Sequence, residues 1–116
     1  MRYMSFQRTT EQMLARTKTV TRRLGWRDLA KGTLVQAVEQ ARGLPKGAKV
    51  RKLGLIRIVS VRREPLSRLG RPRYGKLEAQ KEGFPDLSGR EFAARFVANT
   101  GCTNRTVVTR IEFEHV

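Results

Sequence analysis

Apolar and polar positions along this chain follow two spacings, and each spacing predicts an element. Tyr3 to Phe6 predicts a short opening strand. Thr9-Thr10-Glu11-Gln12 carries the Thr-x-x-Gln spacing of a reciprocal helix cap, so a short helix is expected from there to about Arg16, burying Met13 and Leu14. Lys18 to Leu24 fits neither period, and Gly25 ends it. Lys31-Gly32 marks a turn into a strand carrying Leu34, Val35, Ala37 and Val38. Residues 42 to 49, with Gly43, Pro45 and Gly47 among cations, predict a connecting loop.

The strongest strand signal runs from Leu53 to Val61, where Ile56, Ile58, Val59 and Val61 are β-branched and Arg57 projects outward. Arg62-Arg63-Glu64-Pro65 stops it, because Pro65 has no N–H to give a ladder. Ser67 to Lys76 holds Gly70, Pro72 and Gly75, with Arg68, Arg71, Arg73 and Lys76 around Tyr74, and predicts a mobile basic loop. A second helix has the clearest grammar: Ser88 caps it, Glu91 reaches back, Leu87 staples to Phe92, and Gly101 closes it. Phe92, Ala93, Phe96 and Val97 are its apolar stripe. Val107, Thr109, Ile111 and Phe113 then alternate with Val108, Arg110, Glu112 and Glu114, a half-buried closing strand. This order predicts a single α+β domain over residues 1–116, since two cores would each fall below a stable size.

Charge narrows the partners. Twenty-five Lys and Arg against ten Asp and Glu give a net +15, and a field of that size attracts polyanions. Eighteen of the 25 cations are Arg, whose planar fork fits phosphates and stacks on bases. The plainer alternatives are a basic face that only keeps the protein soluble, or an adaptor surface for an acidic protein. An apolar content of 39% supports a real core and excludes a disordered tail. No apolar run approaches the roughly 18 residues of a membrane span, and the first residues lack a signal-peptide run, so a cytoplasmic protein, favoured as a monomer, is expected. Cys102 stands alone and His115 has no Cys or Asp cluster, so no disulfide, metal or cofactor is expected. Cys102 is expected as a small buried hydrophobe and His115 as a solvated side chain.

Lys18-Thr19-Val20-Thr21-Arg22-Arg23, after a short helix, resembles a segment of the ASCH domain family. Leu29 to Leu34 resembles that family's turn into a strand, with Thr33 where Asp is common after Gly. Leu53 to Leu66, Glu82-Gly83-Phe84, the helix from about Gly89 and the closing strand are similar in order, so the resemblance covers nearly the whole chain. It implies a small PUA-like β-barrel flanked by two short helices, with a cleft for RNA or a modified nucleoside or nucleotide. Some relatives bind or cleave RNA, and others hydrolyse the amide of N4-acylcytidine through a Lys, a Thr and a Glu. By motif those positions are Lys18, Thr21 and Glu82.

The chemistry imposes two conditions. Lys18 acts as a base for the Thr21 hydroxyl only when neutral, which from a pKa near 10.4 costs about 4.6 kcal/mol at pH 7. Arg22, Arg23 and burial push toward neutrality, whereas a Glu82 salt bridge would oppose it. Residues three apart on a regular strand face opposite sides, so residues 18–21 must contain a turn, a helical start or a bulge. The plain alternative is that Thr19 and Thr21 are ordinary strand residues beside a solvated Lys18. Lys18, Arg22 and Arg23, with Arg71 and Arg73, are expected as RNA or phosphate ligands. Trp26 is expected either in the core or stacked on a base, and Tyr74 as an exposed stacking ring.

Overall fold

Five strands and three α-helices follow the chain in the computed structural model, which describes all residues from Met1 to Val116. Strands β1 (Tyr3–Ser5), β2 (Val20–Arg23), β3 (Leu34–Val38), β4 (Lys52–Pro65) and β5 (Val107–His115) form one sheet in the order β1-β3-β4-β5-β2. Only the β1–β3 pairing is parallel. The expected closed barrel is not formed. The sheet ends at β1 on one side and β2 on the other, with no ladder joining them. At three and four residues, both end strands are short.

The two long strands depart from expectation for one reason, the position of β5 between β4 and β2. A strand with neighbours on both sides and cores on both faces has no solvent face. Val108, Thr109, Arg110 and Ile111 are therefore all buried, while Val107, expected inside, is exposed. Strand β4 continues past Val61, because Thr109 and Val108 pair with Arg63 and Glu64. Pro65 is its final residue, where a missing N–H costs no ladder bond.

Two cores lie on opposite faces of the sheet. Ile111 and Phe113 join Phe6, Met13, Ile56 and Ile58 on one face, and Val108 joins Leu66, Leu69, Ala79, Phe92 and Ala93 on the other. Helix α1 (Thr10–Leu14) covers part of the first with Met13, but Leu14 is exposed. The expected cap is absent: the side chain of Gln12 donates instead to the Gly83 carbonyl, at 3.4 Å. Arg16, at φ 61°, lies in the left-handed region just past its end.

Residues 67–76 are helical rather than a mobile loop. A 3-10 turn over Leu66–Gly70 leads into α2 (Pro72–Lys81), so the helices number three, not two. Pro72 stands at the first helical turn, where no N–H is needed. Gly75 serves packing, not flexibility. A Cβ there would lie 2.1 Å from the Leu69 carbonyl oxygen and 2.9 Å from the Cα of Gly89, which opens α3 (Gly89–Thr100). The capping box on α3 is formed as expected, with Ser88 and Glu91 exchanging bonds of 2.9 and 3.1 Å, and Gly101 takes φ 76°. Residues 42–49 hold no helix or strand, and no helix is long and apolar enough to cross a membrane.

Gly75→Ala and Gly89→Ala force two backbones apart, so each is expected to lower unfolding free energy by about 2–3 kcal/mol in denaturant titration. Gly25→Ala, with open space around its Cβ and no left-handed backbone, is the comparison that separates packing from glycine loss in general.

Candidate functional site

The site is built on a like-charge conflict. Arg22 of β2 lies directly opposite Arg110 of β5, so their side chains share a face. Glu78 of α2 resolves it: Oε1 accepts from Arg22 and from Arg110, each at 2.6 Å, and Oε2 accepts from Arg110 at 3.1 Å. One helical turn later, Glu82 lies on the same side of α2. Its Oε2 takes Arg22 at 3.0 Å, and its Oε1 takes the Lys18 ammonium at 2.6 Å. Lys18 also donates to the Glu82 backbone carbonyl at 2.9 Å, satisfying a group that the helix end leaves open. Glu64 of β4 completes the set, 3.2 Å from Arg22. Lys18, Arg22 and Arg110 are thus balanced by Glu64, Glu78 and Glu82, and all six are buried.

Burial sets the titration of these groups. It pushes Lys18 down from 10.5, and Glu82 opposes that shift. Burial would also lower Arg22, but Glu82, Glu78 and Glu64 outweigh it and raise the group. Burial would raise Glu78, yet hydrogen bonds from Arg110 and Arg22 bring it down to about 2. Burial holds the Arg23 guanidinium at about 10, still charged at neutral pH.

A cleft of about 440 Å³ opens beside this network. It lies at the unclosed end of the sheet: Ser5 and Phe6 at the end of β1, Thr21 to Arg23 of β2 and the following Leu24 all line it. Lys18, Thr21 and Glu82 meet there. Regular strand structure begins only at Val20, so Lys18 precedes the strand and escapes its alternation, which is the irregularity that the catalytic reading requires. The carbonyl of Lys18 bonds His115 Nε2 at 2.7 Å, so His115 is a half-buried tether and not a solvated side chain. Gly83 holds the next corner at φ 102°, with Gln12 occupying the space a Cβ would need. Arg23 Nε donates to the Thr21 hydroxyl oxygen at 3.1 Å.

Other expected site residues fall elsewhere. Arg22 lines the cleft, but its two terminal nitrogens are committed to three carboxylates, so it is no phosphate ligand. Tyr74 is not a surface ring: it packs against the second core, its hydroxyl donates to Glu64 at 2.8 Å and accepts from Arg62 at 2.7 Å, and burial with the Glu64 bond raises it. Arg71 and Arg73 are exposed at the start of α2, away from the cleft. Trp26 packs half-buried on the first core with the Arg2 guanidinium 4.1 Å above its ring. Cys102 is half-buried against the second core.

Arg23, an expected phosphate ligand, and residues not singled out as ligands complete the cleft. Phe6 and Phe84 line it with Arg23 and Arg95 over their rings, at 4.7 and 5.9 Å. Arg8, Arg23 and Arg95 have no carboxylate within ion-pair distance. On α3 the lining residues are Phe92, Arg95, Phe96, Asn99 and Thr100. Their helical spacing was visible in the sequence, though only its apolar members stood out.

No family model matches the sequence, and no curated protein matches it. A solved structure is similar: the crystal structure of protein EF3133 from Enterococcus faecalis V583, described as DUF984, superposes with a TM-score of 0.61. It is 18% identical, and the match covers 98% of this chain and 78% of that one. The likeness establishes a shared mixed α+β fold.

Glu78 binds its proton more weakly when folded, so its stabilisation is complete above about pH 4.5 and is lost as pH falls toward 2. Acid titration is expected to show roughly 3 kcal/mol lost across that window. Glu78→Gln should already be destabilised at neutral pH and show a flatter acid limb.

Proposed function

We propose that the chain is an ASCH-type, PUA-like domain that binds RNA or a modified nucleoside or nucleotide in this cleft. The carrying observation is the coincidence of aromatic side chains, guanidinium groups without ion-pair partners and a buried Lys18–Thr21–Glu82 wall in one hollow of about 440 Å³. That volume suits one nucleotide. Phe84, half-buried in the cleft wall, offers a ring to the base, and each Glu82 oxygen, already holding one cation, keeps a lone pair for an exocyclic amino group. Arg8, Arg23 and Arg95 offer forks for phosphate. With three such contacts, the log–log dependence of single-stranded RNA affinity on salt is expected to have a slope near −2. Arg95→Ala should reduce that slope by about 0.7. A flat salt response, or no binding of RNA or CMP, would overturn the reading.

A second reading is an amidohydrolase for N4-acylcytidine, and one observation favours it: Lys18 is buried at the cleft, where burial lowers its proton affinity. In this reading neutral Lys18 takes the Thr21 proton as Oγ1 adds to the acyl carbonyl carbon. The C–N bond then breaks, Lys18 returns that proton to the departing cytidine nitrogen, and water cleaves the threonyl ester. Arg23, already donating to Thr21 Oγ1, stabilises charge there. Cytidine release from N4-acetylcytidine is expected to fall at least about 100-fold in Lys18→Ala and in Thr21→Val, within the range of acid–base and nucleophilic contributions. Undiminished turnover in Thr21→Val would eliminate this mechanism, as would failure of the wild-type protein to hydrolyse the amide.

A further inference from the structure

Beside the cleft lies a second hollow of about 460 Å³, lined by Arg2, Arg23, Leu24, Gly25, Trp26 and Arg42. Arg23 and Leu24 line both hollows, so the two adjoin across a shared wall. Three of its six lining residues are arginines. Arg2 has one exposed partner, Asp28 at 3.2 Å, while Arg23 and Arg42 have no carboxylate within ion-pair distance.

Trp26 holds an uncommon backbone, φ 61°, that a bulky residue adopts only when its surroundings impose it. Its indole rests on the first core and carries the Arg2 guanidinium 4.1 Å from the ring centroid. The result is a layered platform fixed before any ligand arrives. Its outer layer is a planar cation of the kind on which bases stack.

We infer that this hollow is a second nucleotide subsite, and that the ligand is a nucleotide chain at least two residues long. The inference rests on the nucleotide reading of the first cleft and names the substrate class for it. Arg23, in the shared wall, takes the phosphate that joins the two residues. The Arg2–Trp26 layer takes the neighbouring base, and Arg42 adds positive charge at the outer edge.

Trp26 is the chain's one tryptophan, so its emission reports this subsite alone. The test titrates the protein with CMP and with the dinucleotides CpA and ApC, which cover both strand polarities, following calorimetric affinity and Trp26 emission together. One dinucleotide is expected to bind about tenfold or more tighter than CMP, as stacking of one further base allows. It should shift Trp26 emission where CMP does not. Arg42→Ala, on an exposed loop, should narrow the dinucleotide-over-CMP preference about threefold. If CMP binds and neither dinucleotide is preferred, or the preference comes without an emission change, the second subsite is refuted and the one-nucleotide reading stands. If none of the three binds, both fall.

Discussion

Two arginines facing each other across a strand pair would repel, and the carboxylate of Glu78 that separates them is the constraint on which the rest of the molecule depends. Desolvating six charges is expensive, and only near-complete pairing offsets it. That pairing fixes α2 in register on the sheet. Once Glu78 sits between Arg22 and Arg110, helical geometry delivers Glu82 to Lys18 one turn later. A structural ion cluster therefore places this wall of the cleft, and the two cannot be altered independently.

The same cluster explains how a strongly basic chain can keep a buried charged centre. Three cations and three anions cancel inside, so the whole surplus of +15 is carried by the remaining groups. Field lines from those groups reach the cleft, where Arg8, Arg23 and Arg95 have no carboxylate within ion-pair distance. The unclosed sheet supplies the space. A ladder between β1 and β2 would fill the gap that Phe6 and Thr21 now border.

Local grammar was legible in the sequence wherever one segment determines its own structure. The Ser88–Glu91 cap, the Gly101 stop and the loop with Gly43 and Gly47 all depend on neighbours a few residues away. The meeting of Lys18, Thr21 and Glu82 came from motif resemblance, not from periodicity. What escaped depended on distant partners. Gly70, Pro72 and Gly75 look like loop punctuation until α3 packs against Gly75. Arg110 looks like a solvent-facing strand residue until α2 brings Glu78 over it. Tyr74 looks exposed until Glu64 claims its hydroxyl. An open sheet and a closed barrel share the same strand pattern, because closure is decided by whether the two terminal strands meet.

The cleft is walled by residues within 5–9, 18–24, 82–84 and 92–100, segments far apart in the chain. Its lining reaches from Ser5 to Thr100, so the cleft arises only when the first segments and α3 have both docked. Any molecule that fills it must then favour the native ensemble by mass action, by an amount that grows with the logarithm of its concentration. Thermal denaturation thus becomes a ligand screen for this protein, one that needs no label and works for compounds of any chemical class.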